Sequence, residues 1–149
     1  MQTWGGCAFP DDVLYDFASD TWIRLQDDGI AQIGMTDVSQ SRCGRLVQVG
    51  WKPVSKKVEK GRPLSVIESS KWVGPMRSPL TAMVIANNKQ AFVDDVAIAN
   101  RDPYGKGWFY LLQIVNQDEL SALANSEDAF LYYHKVIEET GLRCFRCEN

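Results

Sequence analysis

Val66-Ile67-Glu68-Ser69-Ser70-Lys71-Trp72-Val73-Gly74-Pro75 carries the pattern that decides how this chain folds: an apolar strand gives way to small polar residues and one lysine, then to apolar residues ending in Gly-Pro. Such a run reads as a hairpin with Lys71 at its tip. A lysine there is fully exposed, as an acyl transferase needs when it brings an ε-amine to an activated carboxyl. On local composition alone a plainer reading stands beside this one, that of a solvated lysine in a turn.

Working outward, short apolar runs broken by Gly, Pro, Asn or Asp extend from about Trp22 to Ile114 and predict β-strands joined by tight turns. The candidates are 22–25, 31–34, 44–49, 64–68, 82–86 and 108–114. Asp27-Asp28-Gly29 links the first two and is a hairpin signal, because Asp and Gly tolerate positive φ. Arg45-Leu46-Val47-Gln48-Val49 can be laid over Ala82-Met83-Val84-Ile85-Ala86 with a spacing of 37 residues, a weak internal repeat. The fold class expected is mainly β: a flattened β-barrel or sandwich of two quasi-repeated halves, neither able to bury its own apolar face alone.

Helices are predicted at the flanks. Thr36 is a good N-cap for a short helix over 37–42, and Asn116 precedes a helical stretch over 117–124 with acidic residues in its first turn. A longer helix is expected from Ser126 to Glu139, with Phe130, Tyr133, Val136 and Ile137 at helical spacing and Gly141 as its stop.

The 149 residues, 45% hydrophobic and 23% charged, suffice for one well-packed domain but not comfortably for two. A net charge of −3 and a pI near 5.1 argue against nucleic acid as a partner and suit docking onto basic patches of partner enzymes. No run approaches the roughly 18 apolar residues of a membrane helix, and Met1-Gln2-Thr3-Trp4-Gly5-Gly6 lacks the form of a signal peptide, so a soluble, cytoplasmic protein is expected.

In a reducing compartment Cys7, Cys43, Cys144 and Cys147 read by default as plain thiols. Cys144-Phe145-Arg146-Cys147 is a C-x-x-C pair and hence a candidate redox site, although only two residues follow it. With no second C-x-x-C or C-x-x-H, no metal site is expected. A disulfide anchoring the tail to Cys43 or Cys7 is a further alternative, with three complete pairings open among four cysteines. His134 lies mid-helix without catalytic partners, and Asp27-Asp28 and Asp94-Asp95 sit at turns that favour Asp for backbone reasons. No phosphate loop or nucleophile elbow is present, so an enzyme is the weaker class.

Several pieces stand in a familiar order: Thr21-Trp22, Gly34-Met35-Thr36, Gly44, Val58-Glu59-Lys60-Gly61, Glu68-Ser69-Ser70-Lys71, Ser78-Pro79-Leu80-Thr81, Asn87, and Asn100-Arg101-Asp102-Pro103-Tyr104-Gly105-Lys106-Gly107-Trp108. Together, over about Trp22 to Leu120, they resemble the glycine cleavage H family. The resemblance implies a lipoyl-domain hammerhead over 1–149, with a core of about 13–125 and a C-terminal helical, cysteine-containing extension. It also implies a non-enzymatic carrier with lipoate in amide linkage to Lys71, and Glu68, Ser69 and Ser70 shaping the attachment hairpin. A lipoate-protein ligase or other lipoylation enzyme would be a partner. Biotin carriers resemble Met-Lys-Met at the tip, where Ser70 and Trp72 stand here.

Some positions depart from the family pattern. Asp20-Thr21-Trp22 replaces His-Glu-Trp, Trp72 follows the lysine in place of Ala, and Thr81-Ala82 replaces Ser-Gly. With four cysteines besides, the chain looks like the branch of lipoate-binding proteins associated with the heterodisulfide-reductase-like pathway of sulfur oxidation. That branch implies a sulfur-containing intermediate as cargo, with a heterodisulfide-reductase-like complex and sulfur-transfer proteins as partners. The alternatives are an aminomethyl carrier of glycine cleavage and an unmodified interaction module of the same fold.

Overall fold

The computed structural model describes residues 1–145. In chain order the strands are β1 (Gln2–Trp4), β2 (Cys7–Phe9), β3 (Leu14–Asp16), β4 (Thr21–Leu25), β5 (Ile30–Met35), β6 (Leu46–Val49), β7 (Lys57–Val58), β8 (Pro63–Ser69), β9 (Val73–Arg77), β10 (Ala82–Asn87) and β11 (Tyr110–Ile114). The helices are α1 (Asp37–Cys43), α2 (Lys89–Asp94), α3 (Ile98–Arg101) and α4 (Ser126–Thr140).

A six-stranded sheet in the order β3-β4-β5-β11-β10-β7 faces a three-stranded sheet β6-β8-β9, and β1 and β2 form a separate hairpin. All pairings are antiparallel. Period-two alternation dictates the packing along most of β8: Ser65, Ile67 and Ser69 point inward while Val66 and Glu68 face solvent, and a register shift between Pro63 and Ser65 lets Leu64 be buried as well. The main core lies between the sheets, where Ile23, Ile33 and Leu112 meet Leu46, Leu64, Ile67 and Met76. Tyr110 joins the two layers, for its hydroxyl donates to the Leu64 carbonyl at 2.9 Å and pairs with the Ser65 hydroxyl at 2.7 Å. A flattened β-sandwich with a few helices is therefore the architecture. The two segments of the internal repeat fall in different sheets, 45–49 at β6 and 82–86 at β10.

All six expected strands are present. The Thr36 hydroxyl caps α1 by accepting from the Ser39 amide at 3.1 Å, and Gly141 ends α4 in the left-handed region at φ +69°. The stretch after Asn116 is a 3-10 helix over Gln117–Ala122, not the α-helix expected. Asn116 caps it through the Asp118 amide. Asp28 and Gly29 do take positive φ, +62° and +71°.

α4 buries Ala129, Tyr133 and Ile137 in a second cluster with Phe9, Tyr15, Trp22 and Val38. The terminal segments thus complete a second apolar layer against the back of the sandwich. The sequence reading passed over β1 and β2, each three residues long and lacking any periodic signal of its own. No helix among the described residues is long and apolar enough to cross a membrane.

Candidate functional site

β8 and β9 form the hairpin read from the sequence, with Ser70, Lys71 and Trp72 exposed at its tip. Its base is fixed to the end of α1. Ser69, buried, donates from its hydroxyl to the Cys43 carbonyl at 2.6 Å, and the Ser70 amide donates to the Arg45 carbonyl at 3.0 Å. Between them Gly44 closes α1 at φ +88°, a conformation that glycine adopts freely. A Cβ there would stand 3.1 Å from Cε of Lys71, so the lysine stem runs across the bare glycine backbone.

Asn100 holds this shelf from beneath. It is almost fully buried, its Oδ1 accepts from the Leu46 amide at 2.9 Å, and its Nδ2 donates to the Gly44 carbonyl at 3.0 Å and to Gln40 Oε1 at 3.1 Å. The rest of the 100–108 motif is scaffold for that placement. Trp22 Nε1 donates to the Pro103 carbonyl at 2.8 Å, and the Tyr104 hydroxyl donates to the Ala8 carbonyl while accepting from the Asp37 amide. At Gly107 a Cβ would lie 2.6 Å from Cα of Ala99, so only glycine lets the chain pass α3.

Two clefts of about 350 Å³ each open beside Lys71. The first is lined by Met35, Ile67, Trp72, Pro75 and Met76, with Asp20, Arg42 and the Cys43 thiol at its polar end. The second lies between Gly44, Arg45, Ser70, Asn100 and the tail residues Leu142, Arg143 and Phe145. α1 divides them, presenting Ser39, Arg42 and Cys43, three and four apart on one helix face, to the first and Gln40 and Ser41 to the second.

Asp20 is the chemically distinctive group of the first cleft. Its Oδ2 accepts from Arg42 at 3.2 Å and its Oδ1 from the Tyr133 hydroxyl at 2.9 Å. Burial pushes its carboxyl above the ordinary carboxylate range, against the lowering effects of Arg42 and the Tyr133 hydroxyl. Burial, foremost, and the Asp20 charge push the Tyr133 hydroxyl upward too. The Cys43 thiol is likewise raised by burial, which keeps it protonated and unreactive. Sequence reasoning noted Asp20 only as a departure from the family pattern and did not single out Arg42, for which the helical spacing of 39, 42 and 43 was a signal.

Of the residues expected at the hairpin, Lys71, Ser69 and Ser70 come together, whereas Glu68 faces solvent on the outer side of the sheet and lines neither cleft. The expectation of plain thiols is corrected: Cys7 and Cys144 form a disulfide with Cα atoms 4.8 Å apart, and Cys43 is free and buried. Cys144 is thereby already paired and is no free partner for Cys147 in a C-x-x-C site; Cys147 lies outside the described residues. The N-terminal hairpin and the tail meet because α4 runs back along β1 and β2. His134 packs against Trp4 in a tilted pair with ring centroids 4.1 Å apart.

A sequence model of the family described as glycine cleavage H-protein matches residues 14–139. The chain is 37% identical to glycine cleavage system H protein 3 of Aquifex aeolicus, over 95% of this chain and 90% of that one. It is 34% identical to probable glycine cleavage system H protein 2 of Sulfolobus acidocaldarius, over 99% of this chain and all of the other. Its fold matches the crystal structure of a glycine cleavage system H protein from Mycobacterium marinum with a TM-score of 0.73 and 28% identity, covering 83% of this chain and 98% of that one. Proteins of this family are non-catalytic carriers that bear lipoate covalently on a lysine. With a family match over residues 14–139 and relatives aligned along nearly its whole length, the chain belongs to the glycine cleavage H-protein family.

Proposed function

We propose that the chain is a lipoyl carrier, one lipoyl-bearing domain over 1–149, with its arm in amide linkage to Lys71. The observation that carries this reading is the placement of Lys71, an exposed amine at a hairpin tip with an apolar-walled cleft on one side. The residues fit the group. Met35, Ile67, Trp72 and Met76 offer an apolar wall to an aliphatic arm, and Gly44 leaves the lysine stem free passage. Lipoate, when bound, supplies a dithiolane that carries a group between enzymes, while the protein supplies presentation and recognition. Ser69 and Ser70 fix the hairpin to α1, so the amine is offered to a lipoylation enzyme from a rigid base.

For the cargo, the relatives' names favour an aminomethyl group, as in glycine cleavage, and one feature of the cleft agrees. The Asp20 carboxylate at its polar end is a counter-charge for an amine. A second reading, a sulfur-containing intermediate handed to a heterodisulfide-reductase-like complex and sulfur-transfer proteins, is favoured by a different observation. Asp20 and Trp72 alter the very cleft in which an aminomethyl group would be sheltered, and Arg42 adds a cation suited to a sulfur oxyanion. The numbered relatives from Aquifex and Sulfolobus align along almost the whole chain, whereas the Mycobacterium structure leaves part of it unmatched.

Two assays test these readings. Lys71→Arg abolishes lipoylation while the fold survives; lipoate retained on that variant would refute the attachment. Lipoylated chain incubated with glycine decarboxylase and isotopically labelled glycine acquires label under the first cargo reading and stays unlabelled under the second.

A further inference from the structure

The Cys7–Cys144 disulfide lies outside residues 14–139, the span shared with the family, yet it is joined to the Lys71 hairpin by an unbroken series of hydrogen bonds. Both of its flanks are tied to α1. The Ala8 amide, next to Cys7, donates to Asp37 Oδ2 at 2.8 Å, and the Phe145 carbonyl, next to Cys144, accepts from Gln40 Nε2 at 3.1 Å. Gln40 Nε2 also donates to Asp37 Oδ1 at 2.8 Å, which closes the loop between the two flanks. From Gln40 the series continues through Asn100 to Gly44 and Leu46, the shelf on which Ser70 and Lys71 rest. The Cys144 amide is held by the Gly5 carbonyl at 2.8 Å, and Leu142, Arg143 and Phe145 form one wall of the second cleft beside Lys71.

We propose that this disulfide is a redox clasp: oxidised, it holds the tail as a wall of the second cleft and stiffens the Lys71 shelf; reduced, it releases both. The inference rests on the reading of Lys71 as the arm lysine for its purpose, but not for its mechanics. The reductant is a dithiol. Cys7 is fully buried and Cys144 is 9% exposed, so attack falls on the Cys144 sulfur. The Cys7–Cys144 bond breaks and Cys7 leaves as thiolate, taking a proton. The second thiol of the reductant then closes its own disulfide and frees Cys144 as a thiol. Two electrons and two protons pass from the dithiol to the clasp.

Release has a consequence because the tail is anchored by the cross-link together with only two packed residues, Leu142 and Cys144. Of its residues, Arg143 and Phe145 are exposed, while Leu142 packs against the second apolar cluster and Cys144 belongs to it, so the segment stays in place by the disulfide, that packing and the Gly5 and Gln40 bonds. Losing the cross-link returns chain entropy to the tail without touching the sandwich core. α1 then loses its bond from Gln40 to Phe145, and the Gln40–Asn100 side-chain pair is freed to rearrange under the shelf.

The test uses the full chain carrying Cys147→Ser, so that no other tail cysteine re-pairs. Hydrogen exchange and acetylation of Lys71 by an N-hydroxysuccinimide ester, relative to exposed Lys60, are measured by peptide mass spectrometry with the clasp oxidised, reduced by dithiothreitol and reoxidised. The clasp predicts that reduction speeds exchange at 142–145 and at 44–46 by about tenfold, raises Lys71 acetylation about threefold, and reverses on reoxidation. Gln40→Ala with the disulfide intact reproduces the change at 44–46 and removes its dependence on redox state. Faster exchange confined to 142–145 overturns the proposal, and so does loss of protection throughout β5 and β11, which would make the disulfide a plain structural staple. If Lys71 proves never to be lipoylated while these responses occur, the arm assignment falls and the clasp stands.

Discussion

The Ser69 hydroxyl donates to the Cys43 carbonyl at 2.6 Å, fastening the base of the Lys71 hairpin to the last turn of α1. A helix C-terminus leaves carbonyls without intrahelical partners, and here a side chain from the neighbouring sheet supplies one. The same bond fixes how the lysine is presented.

Ser69→Ala removes that bond and leaves a buried carbonyl unpaired, at a cost of about 1–3 kcal/mol. Urea unfolding measures the loss. The rate of lipoylation by a ligase falls as well, because the tip gains freedom that the modifying enzyme must restrict. An unchanged urea midpoint and rate would show that the hairpin is held by β8–β9 pairing alone.

Asn100→Ala removes three hydrogen bonds at a buried position and destabilises the fold by about 2–4 kcal/mol. The effect appears first around the shelf, as faster amide exchange at Gly44 and Leu46. A loss below about 0.5 kcal/mol would mean that water replaces the side chain there.

Asp20 makes stability depend on pH with a definite sign. Burial raises its folded-state pKa above the unfolded value, so the folded state binds the proton more tightly. Its favourable contribution is fully present below the unfolded carboxylate pKa and is lost as pH rises through the raised folded value. Asp20→Asn, which keeps an acceptor for the Tyr133 hydroxyl, therefore gains stability over the natural chain at neutral pH, and the difference shrinks on acidification. Urea midpoints at several pH values measure it; a difference that grows toward low pH contradicts the argument.

Much of this was legible in the sequence, for reasons visible in particular residues. Ser65, Ile67 and Ser69 alternate with Val66 and Glu68, so β8 declared itself; Thr36, a good N-cap, declared α1. β1 and β2 did not, because three-residue strands hold no period and exist only through their pairing, the disulfide and α4. Asn100 was noticed as part of a motif, but its role needed the fold, which brings it against Gly44 from 56 residues away. Asp20, in the turn before β4, and Arg42 of α1 meet only in the fold, and nothing in the sequence pairs them.

The attachment of lipoate to Lys71 is tested most directly by intact and peptide-level mass spectrometry of the protein from its native host. The account predicts a lipoyl mass on the peptide containing Lys71 and on no other lysine. A chain recovered wholly unmodified, or modified at another lysine, would contradict it and favour an interaction module that keeps the fold without the cofactor.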